Sequence, residues 1–113
     1  MGCELIHHEQ ALEDRFAHIA LPADATECEP WIRRGDADWR RLFLTREWDI
    51  GGIWVSVAGE QNHHGDIVAR WMNVGGEDQC TTSDRKQLIA ALEQASQLLD
   101  ALTNESPVTA GPR

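Results

Sequence analysis

The chain is predicted to be an α+β domain, a three-stranded antiparallel sheet packed against one C-terminal helix. Two periodicities carry that expectation. Leu88, Leu92, Ala95, Leu99 and Leu102 recur at alternating four- and three-residue steps, the spacing of one helical face. Ile53, Val55 and Val57 alternate with Trp54, Ser56 and Ala58, the spacing of a strand with two unlike faces. A length of 113 residues suits one domain with one modest core.

The front of the chain, residues 1–35, is poorly defined. Residues 9–18 have partial helical spacing through Leu12, Phe16 and Ile19, and Pro22 ends whatever precedes it. A short N-terminal helix is expected there, with an edge strand over residues 16–21 as the alternative. Asp36, Ala37 and Asp38 are followed by the first strand, residues 40–48, in which Leu42, Leu44 and Arg46 alternate with Arg41, Phe43 and Thr45. A short helix capped at Asp36–Asp38 and running through Leu42 is the competing reading of that stretch. Asp49, Ile50, Gly51 and Gly52 form a turn into the second strand.

Residues 67–74, rich in β-branched and aromatic side chains and bounded by glycines, are the third strand. The connection over residues 60–66 is long for a hairpin. The helix is expected over residues 82–102, with Thr81 offering its hydroxyl to an orphan amide and Asp84 placing an acid at the positive helix end. Ala91 and Leu98 widen its apolar stripe. One domain over residues 1–103 is expected, followed by a disordered tail over 104–113, which holds two prolines, a glycine and no apolar periodicity.

With the front helix the order is α-β-β-β-α, a topology shared with double-stranded-RNA-binding domains, which depend on basic residues that this acidic chain does not supply. The succession over residues 39–102 runs strand, Gly-Gly turn, Ile-x-Val-x-Val strand, polar loop, Val-x-Arg-x-Met-x-Val strand and Thr-capped Ala/Leu helix. It resembles small actinobacterial and actinophage proteins of unknown function. The resemblance covers a little over half the chain. Such proteins often carry a Cys-Pro-Pro-Trp-Cys element; here Cys28-Glu29-Pro30-Trp31 lacks the second cysteine, so no metal site is carried over.

The net charge of −9 has its acid concentrated in residues 1–30, which opposes a polyanionic partner. Nucleic acid is therefore disfavoured as a partner, although Trp31, Arg33, Arg34, Trp39, Arg40 and Arg41 interleave aromatic and basic groups. Cys3, Cys28 and Cys80 form no Cys-x-x-Cys pair, as expected of free thiols in a reducing cytoplasm. Neither a signal peptide nor a membrane-spanning apolar run is visible.

Catalytic signals are weak. Gly51-Gly52 and Gly75-Gly76 lack the lysine and Ser/Thr of a phosphate loop. Cys80 precedes a helix, but a structural thiol explains it as well. His63 and His64, with Asp66, are the weak candidates for a metal site, and paired histidines on an extended chain point apart. No cofactor is expected.

Tryptophan is the anomaly: Trp31, Trp39, Trp48, Trp54 and Trp71, beside two phenylalanines and no tyrosine. If Ile53, Val55 and Val57 face the helix, Trp54 turns to the other side, where one hairpin register also puts Trp71. Residues 1–35 folded over that face would make it a second core layer. Left open, it is an interface, with Arg46 and Arg70 as nearby charged companions. The expected function is therefore a non-enzymatic interaction or regulatory domain, binding a protein partner or a second copy of itself through Trp54, Trp71, Arg46 and Arg70. The alternative is a small ligand- or metal-binding domain or enzyme using His63, His64 and Asp66.

Overall fold

The computed structural model describes residues 14–77 and 79–105. They form an α+β fold with a five-stranded antiparallel sheet and one helix. The strands are β1 (Glu27–Cys28), β2 (Ile32–Gly35), β3 (Asp38–Ile50), β4 (Ile53–Asn62) and β5 (Ile67–Gly76), and the helix is α1 (Arg85–Glu105). The sheet order is β1-β3-β4-β5, with β2 also paired to β3. The β3-β4-β5 meander is the one expected, but β1 and β2 are additional. Both lie along the outer edge of β3, Glu27 opposite Leu44 and Ile32 opposite Arg40. Between them stands Pro30, which has no N–H for a ladder and is tolerated at such an interrupted edge.

Turn chemistry explains the joints. Gly51 and Gly52 have φ of 58° and 94° and connect the paired Ile50 and Ile53, as a two-residue hairpin with positive φ at both centres requires. Asp36 and Ala37 make the turn between the paired Gly35 and Asp38, so the helix proposed to start there is replaced by a hairpin. The β4-β5 connection is shorter than residues 60–66, because the Asn62 carboxamide oxygen accepts N–H bonds from His64 at 2.9 Å and Asp66 at 3.0 Å and closes the turn locally.

One sheet face holds the core. Ala91 and Ala95 are buried in α1 and let the helix approach Val55 and Val57, which are wholly enclosed; Ile50, Leu102, Leu88, Leu92, Leu98, Leu99 and Trp48 complete the cluster. Burial of each valine contributes roughly 1.5–3 kcal/mol. The helix begins later than residue 82: the Asp84 carbonyl accepts the first helical bond from Leu88 N–H at 2.9 Å, and Thr81 Oγ1 accepts Asp84 N–H at 3.3 Å. It continues through Asn104 and Glu105, which were expected in the tail. The remaining tail, 106–113, lies outside the described residues.

Beside α1 the same face is covered by residues 14–24 together with Trp31. Phe16, Ile19 and Trp31 form a second buried cluster with Trp39 against it. Within the described part of the proposed front helix, only Asp14 and Arg15 are helical and turns follow; residues 9–13 lie outside the described residues. The alternative edge strand at 16–21 does not form. Instead, carbonyls of this segment receive side-chain donors from the sheet: Arg41 donates to Ile19 O at 2.9 Å, and Gln61 Nε2 donates to Ala20 O at 2.8 Å.

Candidate binding cleft on the open sheet face

The opposite face is built by strand alternation. Glu27, Leu44, Ala58 and Trp71 are successive register partners across β1, β3, β4 and β5, so their side chains share one face. Along the strands the same face receives Leu42 and Glu47 from β3, Trp54 and Ser56 from β4, and Asn73 from β5. These residues, with Glu29 and Cys28, line a cleft of about 270 Å³. Among the described residues, neither α1 nor the front segment covers it.

Trp54 is 38% exposed and Trp71 is half-buried. Gly75, the partner of Trp54 on β5, explains the pose of the first ring: any Cβ at that position would run into the Trp54 indole. The ring therefore lies across the β5 backbone, as aromatic side chains do over cross-strand glycines.

The arginines expected to accompany the tryptophans do not. Arg46 turns to the helix-side face, opposite Val57, with its guanidinium 4.7 Å from the Trp48 ring centroid. The cause is a bulge between Leu44 and Arg46, whose extra residue breaks strict alternation and changes which face the following side chains take. Arg70, adjacent to Trp71, points to the opposite face as strand geometry demands. Its side chain is 1% exposed and ion-paired with Asp24 at 2.9 Å.

The charge on the open face is divided. At one end Arg34 and Arg40 are paired with Glu60 at 2.7 and 3.0 Å, and Arg40 also with Asp38 at 2.9 Å. Hydrogen bonding to Asp38, reinforced by Glu60, raises the Arg40 pKa above its usual value. At the cleft, Glu27, Glu29 and Glu47 are exposed, and no arginine or lysine among the described residues pairs with them. Sequence reasoning missed these three carboxylates. Glu27 and Glu29 sit in the poorly defined front, and the face taken by Glu47 depends on the bulge.

The histidine loop is a turn with internal partners. His63 Nδ1 accepts the Trp39 N–H at 3.3 Å, its ring packs 6.0 Å from Phe16, and the His64 ring centroid is 4.1 Å away. Asp66 is tied to Asn62. Among the described residues no group of three or more His, Cys, Asp and Glu side chains converges as ligands of an ion. Cys28 and Cys80 are exposed free thiols; Cys3 lies outside the described residues. No described helix is long and apolar enough to cross a membrane. Compared with protein-family models, curated proteins and solved structures, the chain has no significant match.

Proposed function

We propose that this domain is a protein-interaction module, non-enzymatic and regulatory in role, that docks a partner in the cleft between Trp54 and β1. The observation that carries the reading is the position of Trp54 and Trp71 on the sheet face opposite both buried clusters. Large aromatic side chains at the centre of an accessible apolar surface are what binding hot spots use. Two exposed thiols fit a cytoplasmic setting, where disulfides are rare.

The metal-binding or enzymatic alternative at His63, His64 and Asp66 has less support, because one imidazole nitrogen of His63 is already occupied by the backbone of Trp39. The test is a binding comparison between the wild type and a Trp54→Ala/Trp71→Ala variant whose circular dichroism is unchanged, with the mass of the free protein measured by light scattering. A partner retained by the wild type and lost by the variant supports the reading. Equal retention by both proteins removes the cleft from the interface. A wild-type dimer that the variant abolishes identifies the partner as a second copy.

A further inference from the structure

The cleft has a chemical character that restricts its occupant, provided the interaction reading holds. Its floor is apolar, from Leu42, Leu44 and Ala58; two indoles stand toward β5, and Glu27, Glu29 and Glu47 stand toward and along β3. Three carboxylates with no arginine or lysine partner among the described residues, beside two indoles, form a surface complementary to a cation. Indole faces attract guanidinium and ammonium groups, and the carboxylates supply the counter-charge and the acceptors that such a group needs when it leaves bulk water.

We infer that the cleft recognises an arginine- or lysine-bearing segment of a protein partner, seating one cationic side chain between Trp54 or Trp71 and the Glu27, Glu29 and Glu47 carboxylates. Size agrees with this occupant. The cleft holds about 270 Å³ and is open along the sheet, so it admits one long side chain with the peptide running over the surface. Charge argues against a second copy as the occupant, since a chain of net charge −9 would bring its own acid toward these carboxylates. The same field repels nucleic acid and attracts basic protein segments, accelerating encounter at low ionic strength.

Selection from a random peptide library displayed on phage tests this on the full chain, run in parallel on the wild type, Trp54→Ala/Trp71→Ala and Glu27→Gln/Glu29→Gln/Glu47→Gln. Expected for the wild type are peptides carrying Arg or Lys beside an apolar residue, absent from the double-tryptophan selection. The triple-glutamine variant should bind the same synthetic peptides about tenfold more weakly, as the loss of three solvent-exposed charge pairs implies. Wild-type affinity should also fall between about 10 and 150 mM salt, as the screening length shortens from roughly 30 to 8 Å. Enrichment that depends on the tryptophans but shows no basic preference, or basic peptides that bind the triple variant undiminished, overturns the inference while leaving the interaction reading standing. Enrichment independent of Trp54 and Trp71, or none at all, overturns both.

Discussion

Both carboxylate oxygens of Asp24 accept an N–H from the guanidinium of Arg70, each at 2.9 Å. Asp24 Oδ2 also accepts the Thr45 hydroxyl at 2.6 Å. One carboxylate therefore ties the front segment to β5 and to the bulge of β3. Hydrogen bonding to Arg70 holds the Asp24 carboxyl below the usual carboxylate range, against the opposing effect of burial.

Asp24→Ala leaves a buried guanidinium without its counter-ion and is expected to cost about 3 kcal/mol, the lower end for a broken buried pair. Because the folded-state pKa is depressed, the stabilisation is complete above the unfolded value near about pH 4 and is lost as pH falls through the folded value. Urea titrations at neutral pH and at successively lower pH should show the gap between wild type and Asp24→Ala closing on acidification. A gap that persists unchanged in strong acid would contradict this linkage.

Gly59→Ala should destabilise by about 1–3 kcal/mol. A Cβ at Gly59 would stand 2.5 Å from Phe43 Cζ and 2.8 Å from the Ala69 carbonyl oxygen. Phe43 is buried, with the Arg70 guanidinium 5.5 Å from its ring centroid, so the ring has little room to retreat. A variant that melts at the wild-type temperature would show that it has more freedom than the packing implies.

Ala37→Gly should raise stability by up to about 1 kcal/mol. Ala37 has φ of 56°, a left-handed conformation that costs an L-residue with a Cβ roughly 1–2 kcal/mol, partly offset by the greater freedom glycine gains in the unfolded chain. Denaturant midpoints decide the matter; a lower midpoint would mean that the unfolded-state term dominates.

Trp54→Ala and Trp31→Ala should separate cleanly. Trp31 is 3% exposed and stacked 4.5 Å beneath the Arg41 guanidinium, so its truncation should cost about 3–5 kcal/mol. Trp54 contributes a cross-strand contact worth about 1 kcal/mol or less. Thermal melts of comparable damage in both variants would place Trp54 in the core.

The two periodicities that announced the fold were local ones. The Val55/Val57 alternation and the Leu88–Leu102 stripe each report a face buried by its own element, and both found the same core. Trp54 and Trp71 could be placed on one face only for one of two hairpin registers, because alternation fixes faces within a strand and not the pairing between strands; β4 and β5 adopt that register, with Ala58 opposite Trp71. Arg46 could not be placed, since a bulge is invisible to a period-two pattern, and β1 and β2 escaped notice because their residues are exposed and have no apolar face to announce. The front segment is held by Phe16, Ile19 and Asp24 side chains that follow no regular period, and by backbone carbonyls at Ile19 and Ala20, which every sequence possesses alike.

The thirteen residues of β3 serve two cores whose remaining parts lie at different distances along the chain. Phe16, Trp31, Trp39 and Gln61 all precede residue 62, so the front cluster and its Arg41 contacts can close while the chain is still growing. Ile50, Val55 and Val57 must wait for Ala91, Ala95 and Leu102. Until α1 has left the ribosome, the nascent sheet carries an uncovered valine and isoleucine surface, the condition in which growing chains associate wrongly or recruit chaperones. The helix α1 is therefore the element whose arrival closes the Val55 and Val57 face.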